Sequence, residues 1–169
     1  LAYLKSVWQQ EQTIPGLRFA ERDYIGMAKL LALRDVSDAE EILDAQRDRI
    51  ENPDRLARYD FVRPALSADQ QTRDAFFTSL ADEGNRAREP WVLEGLRYLH
   101  HPLRAPMSES YILPSLELEE EIQKTGDIFF PKGWLDATLG GHQGRSAAAV
   151  VHQFIEDHPD FPVRLRAKI

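Results

Sequence analysis

The stretch EPWVLEGLRYLHHPLR, Glu89–Arg104, decides how the rest of the chain is read. Pro90 suits the first turn of a helix, where a missing N–H leaves no hydrogen bond unmade. Val92, Leu96 and Leu99 follow at helical spacing and share one face. Pro102 disfavours helical geometry at the residue before it, so the helix is predicted to end at His100 and His101.

Adjacent histidines raise the question of a metal. Two ligands on one helix reach the same ion when they stand a turn apart, as in HExxH. His100 and His101 point about 100° apart around a helix axis. Neither Leu96, Arg97, Arg104 nor Ala105 supplies a ligand one turn away. The pair is instead predicted to cap the helix, meeting free carbonyls at the negative end of its dipole. His142, His152 and His158 are scattered, and His152 has only Glu156 one turn on, an ordinary surface contact.

The same grammar of proline, cap and apolar stripe recurs along the chain. Leu1, Leu4 and Trp8 form a first stripe, and Tyr24, Met27, Ala28 and Leu31 a second that stops before Arg34-Asp35. Ser37 with Glu40, and Ser67 with Gln70, read as capping boxes ahead of Ile42, Leu43 and Ile50, and of Phe76, Phe77 and Leu80. Asn52-Pro53 combines a cap with a proline at the first helical position. Pro114 starts or kinks a segment that runs to Lys124 and stops at Gly126. Pro131 opens a helix with Trp134, Leu135 and Leu139, closed by Gly140-Gly141. Ser146 caps a helix carrying Val150, Val151, Phe154 and Ile155, which Pro159 limits. Only Asp127–Phe130 is faintly strand-like.

Short helices joined by brief turns predict an all-α fold of stacked helical hairpins, a HEAT-like or armadillo-like α-α superhelix rather than a four-helix bundle. No repeat of fixed period appears in the residues themselves. Residues 1–169 form one helical domain in this reading. A start without Met and a finish just after another helix begins at Pro162 suggest the C-terminal part of a longer polypeptide.

With 169 residues, 43% hydrophobic and 29% charged, the chain has an ordinary globular composition. A formal charge of -7 argues against nucleic acid or an anionic membrane as partner, since both select basic surfaces. No apolar run reaches the roughly 20 residues of a membrane helix. The chain has 0 cysteines, hence no disulfide frame and no thiolate nucleophile, and a reducing cytosol is the favoured compartment without being required. Glu117, Glu119, Glu120 and Glu121 read as a solvated face, with Glu120 and Lys124 paired one turn apart. GGHQGR, Gly140–Arg145, lacks the Lys-Ser/Thr ending of a phosphate loop and reads as a turn. No G-x-S-x-G elbow is present, and neither a catalytic residue nor a metal ligand is expected here.

Arginine is used in preference to lysine, the basic residues including only Lys5, Lys29, Lys124, Lys132 and Lys168 as lysines. A concave helical surface lined by arginine could hold peptide carboxylates bidentately, although codon usage and helix propensity explain the same bias. Trp91, Trp134 and Phe129-Phe130 read as packing anchors between helical layers.

Four segments carry a resemblance: PDRLARYDFVRPALS (53–67), EPWVLEGLRYLHHPLR (89–104), PSLELEEEIQKTGDIFFPKGWLDATLGGHQ (114–143) and PVRLRAKI (162–169). From about Asn52 to Ile169 the chain resembles the C-terminal helical domain of bacterial zinc aminopeptidases of the aminopeptidase N family. In such enzymes a β-rich domain and a thermolysin-like domain with HExxH precede the helical domain, which covers the active-site cavity. The resemblance implies a non-catalytic cover that shapes peptide access, with the catalytic domain of the same polypeptide and a peptide substrate as partners. It also implies a zinc ion in that catalytic domain and none in this segment. Within such a parent, Arg88, Arg97 and Arg104 are the expected substrate-binding residues, attracting a distant peptide carboxylate. The alternative is a helical-repeat scaffold that binds another protein and has no enzymatic parent.

Overall fold

A computed structural model describes residues 1–169. Helices and turns account for all regular structure, so the fold is all-α. In chain order the helices are α1 (Ala2–Trp8), α2 (Glu21–Leu33), α3 (Ala39–Asp48), α4 (Pro53–Val62), α5 (Gln70–Ser79), α6 (Glu89–Leu99), α7 (Ala105–Ser108), α8 (Ile112–Glu117), α9 (Glu119–Thr125), α10 (Phe130–Leu139), α11 (Arg145–Asp157) and α12 (Val163–Arg166). No helix is long and apolar enough to cross a membrane.

Local chemistry places several of these boundaries. The Asn52 side chain accepts from the Arg55 N–H at 3.0 Å, with Pro53 opening α4. Such a cap contributes about 1 kcal/mol. Asp69, one residue before α5, accepts from the Thr72 N–H at 2.8 Å, so this carboxylate is the cap and not Ser67. Ser67 instead accepts from the Asp69 N–H, which sets the turn. Asp38 occupies the position before α3, and no side chain caps that helix, so the expected Ser37 box does not form. Gly144 precedes α11, while Ser146 Oγ donates to Glu109 at 2.9 Å. The faintly strand-like Asp127–Phe130 is a turn in which Asp127 accepts from the Phe129 N–H at 3.0 Å.

Packing follows chain order. Trp8, Ala28, Leu31 and Ile42 join α1, α2 and α3. The next cluster gathers Ala32, Leu33, Leu43, Ile50, Tyr59 and Leu66. The largest, around Phe76, Phe77, Leu96, Tyr111 and Trp134, binds α5, α6 and α10. Ile112, Leu116, Leu135, Phe154 and Leu165 close the C-terminal end. Three buried aromatic side chains find partners for their polar tips: Trp8 Nε1 donates to Gln46, Tyr59 to the Leu43 carbonyl, and Trp134 Nε1 to the Ser115 carbonyl. Trp134 and Phe130 are buried anchors, but Phe129 is 80% exposed and anchors nothing.

Arginine side chains meet carbonyls at and near helix ends. The last carbonyls of a helix have no partner within it. Arg86 donates to the Leu80 and Ala81 carbonyls after α5, and Arg73 to those of Ser67 and Ala68. Arg104 donates to the Ala32 carbonyl of α2 and to those of Leu66 and Ser67. Much of the arginine bias is therefore structural.

Candidate functional site

Three helices present side chains to one concavity of about 440 Å³. From α2 come Arg22, Ile25, Gly26 and Lys29, which share a face because they recur every three or four residues. Helix α4 supplies Arg55, Arg58 and Tyr59 by the same spacing, and α6 supplies Glu94 and Tyr98 one turn apart.

At the floor lies Lys29, only 3% exposed. Its ammonium donates to Glu94 at 2.6 Å and stands 5.5 and 5.6 Å from the ring centres of Tyr59 and Tyr98. The negative ring faces and the carboxylate together replace the water this cation has lost. Burial pulls the Lys29 amine below its usual range, with Glu94 opposing that pull. Burial by itself would raise the Glu94 carboxyl, but the charges of Lys29 and Arg58 outweigh it and hold the group below the ordinary carboxylate range. Tyr98 is pushed up to about 12, chiefly by burial and then by Glu94.

Glu94 is shared, since Arg58 Nε donates to its other oxygen at 2.5 Å. That bond uses one edge of the guanidinium and leaves both terminal nitrogens of Arg58 without a partner in the chain. Arg22 meets only Asp23, at 3.8 Å, and its own donors are likewise unused. Arg55 is held by Glu21 at 2.8 Å. Four cations thus face one half-buried carboxylate and one rim carboxylate, in a chain of charge -7. The surface left over is a set of N–H donors, those of Arg58 anchored by Glu94 and those of Arg22 exposed at the rim, suited to a carboxylate or another small oxyanion.

The arginines expected from the resemblance lie elsewhere. Arg88 is exposed before α6, with its guanidinium 5.2 Å from the Trp91 ring centre. Arg97 is exposed in the last turn of α6, so the two stand at opposite ends of one helix. Arg104 is 1% exposed, and its terminal nitrogens are taken by three carbonyls and by Asp35 at 2.5 Å. The three do not share a concavity, and Arg104 acts as an internal tie.

His100 and His101 lie at the end of α6, but neither imidazole meets a carbonyl of that helix as the expected cap would, and the two part there. His101 Nδ1 accepts from the Leu103 N–H at 3.2 Å. His100 turns inward, 1% exposed, and its Nδ1 lies 2.9 Å from His142 Nε2. Burial, and then the His142 imidazole, push His100 down to about 3, so it carries no charge for the helix dipole. The remaining nitrogens, His100 Nε2 and His142 Nδ1, are buried without partners.

The acidic run also divides. Glu121 pairs with Arg86, while Glu120 and Lys124 form no ion pair. Glu119 is fully buried, with neither carboxyl oxygen bonded, and burial pushes it up to about 8 against the weaker pull of Lys168.

No family model, no curated protein and no solved structure matches the chain. What single-sequence reading missed in the concavity was visible as spacing: basic and aromatic residues at 22, 29, 55, 58, 59 and 98 flank the apolar stripes of their helices. That three such flanks face one another is a tertiary fact, absent from any one of them.

Proposed function

We propose that this chain is the non-catalytic helical cover of a zinc aminopeptidase, its helices stacked as HEAT-like hairpins. In this reading the concavity between α2, α4 and α6 receives a carboxylate of the peptide far from the bond that is cleaved. The zinc and the hydrolytic groups belong to the catalytic domain of the same polypeptide, against which the cover packs.

One observation carries the reading: Arg22 and Arg58 hold unused donors above the buried Lys29–Glu94 pair. The Arg58 guanidinium, prepositioned by Glu94, can donate to a second carboxylate from its other edge with little further loss of side-chain freedom. Binding energy taken up so far from the scissile bond acts on substrate affinity and length preference. The resemblance of the four quoted segments supplies the enzymatic setting. The second reading, a protein-binding helical scaffold, is favoured by the exposed side chains of Ile128, Phe129 and Val163.

The test has two parts. The reading frame upstream of Leu1 should encode HExxH and a downstream Glu ligand, and its absence would leave the scaffold reading. In the full-length polypeptide, Arg22→Ala with Arg58→Ala should raise KM for peptides about tenfold and leave kcat and a single-residue reporter unchanged. Equal losses on both substrates, or no loss on either, would reject the concavity as a peptide site.

A further inference from the structure

The three most exposed large apolar side chains are Ile128 at 75%, Phe129 at 80% and Val163 at 80%. Ile128 and Phe129 belong to the turn before α10, and Val163 begins α12. Ile128 and Val163 nevertheless line the same concavity, a space of about 540 Å³ between α9 and the C-terminal segment. Pro162 adds apolar wall, and Phe129 adjoins Ile128 in the chain. Apolar residues scattered singly over a surface need no explanation, but their concentration around one hollow does.

Charge around the hollow is also uneven. Lys124, Arg164 and Lys168 line it, against Glu120 as the one acid. None of the three cations pairs with a carboxylate, and Lys168 donates only to Gln123 at 3.2 Å. The chain as a whole carries -7, and most of its other basic groups are engaged within the fold, by carboxylates or by backbone carbonyls. Three unpaired cations beside exposed aliphatic groups match the polar rim and apolar centre that a small interface has.

We propose that this hollow docks an acidic peptide segment that carries a large apolar side chain. The apolar residue would lie against Ile128, Pro162 and Val163, and flanking carboxylates would meet Lys124, Arg164 and Lys168. A nucleic acid fits less well, because a polyanion follows an extended basic track and the surrounding acidic surface repels it. The inference rests on a surface separate from the concavity between α2, α4 and α6, and it stands whether or not the chain covers a peptidase.

The experiment uses the full-length protein and a fluorescein-labelled peptide in which Leu-Phe is flanked on both sides by Asp-Glu. Two controls replace Leu-Phe by Ser-Ser, or the acids by Lys-Arg. Fluorescence anisotropy should show saturable binding of the first peptide, about tenfold tighter than either control and weakened by added salt. Lys124→Glu with Arg164→Glu, and separately Val163→Ser, should each weaken it about tenfold or more while circular dichroism stays unchanged. All three positions are exposed, so folding should survive. No saturable binding, equal binding of the three peptides, or binding indifferent to the variants would overturn the proposal. So would preferential binding to vesicles containing phosphatidylserine.

Discussion

A Cβ built on Gly141 would stand 1.7 Å from the carbonyl oxygen of His100, so the turn after α10 rests directly on the backbone that ends α6. The contact seats the His100–His142 pair, and only a residue without a side chain allows it. Gly141→Ala should therefore cost about 3 kcal/mol in urea unfolding, because the obstacle is backbone and cannot rotate away. Gly26, inside α2, has nothing within 4 Å of a built Cβ. Gly26→Ala should gain about 0.5–1 kcal/mol from helix propensity alone. Similar effects of the two substitutions would contradict the packing described.

Arg104 should behave as a structural residue. Arg104→Ala leaves the Ala32 and Leu66 carbonyls without their donor and opens a cavity, for an expected loss of about 2–4 kcal/mol. Arg88→Ala and Arg97→Ala, at exposed positions, should stay within about 0.5 kcal/mol of the parent. Chemical denaturation of the three variants side by side gives the comparison.

Glu94→Gln should be more damaging than loss of either partner's exposed end. It removes the carboxylate that balances Lys29, and an uncompensated buried ammonium costs about 3–5 kcal/mol. Arg58→Ala leaves Lys29 paired and should cost less than about 1 kcal/mol, since Arg58 is half exposed. A smaller loss for Glu94→Gln than for Arg58→Ala would show that Lys29 is not held as the geometry implies.

Stability should depend on pH from both sides. The His100 imidazole, ordinarily near 6.5, falls to about 3 when folded. Below about 6.5 the unfolded chain takes up a proton that the folded chain refuses, so the contribution of His100 is complete above that pH and is lost on the way down to about 3. Glu119 acts in the opposite direction. Folding raises its carboxyl from 4.5 to about 8, so its contribution is complete below 4.5 and is lost as the pH rises through about 8. Urea midpoints across this range should trace a dome. Glu119→Gln should flatten the alkaline side and raise stability there, and His100→Gln should flatten the acid side.

Reading from the residues succeeded where the signal was local. Asn52 caps α4 because its side chain, its backbone and the following proline act within one turn. Trp134 is buried because a helical stripe leaves it on the inner face. Errors of one or two residues arose where two candidate caps stood close together, as with Ser67 and Asp69. Larger misreadings concern long-range partners. Glu119 looks like its acidic neighbours until the packing of helices encloses it. His142 carries no local sign that it meets His100 from another turn. Arg104 and Arg22 are chemically alike, and only the path of the chain makes one a tie between helix ends and the other a free donor.

The arginines bonded to terminal carbonyls also set how the molecule opens. An ordinary helix frays from its ends, losing the last turn at almost no free-energy cost. Here Arg86 holds the end of α5 while itself pairing with Glu121 of α9, and Arg104 joins the end of α2 to the turn after α4. Loosening any of these last turns therefore requires breaking contacts that belong to a distant helix. Local fluctuations become shared ones, and the amide protons near Leu33 and Leu80 should exchange with solvent only through openings that span several helices.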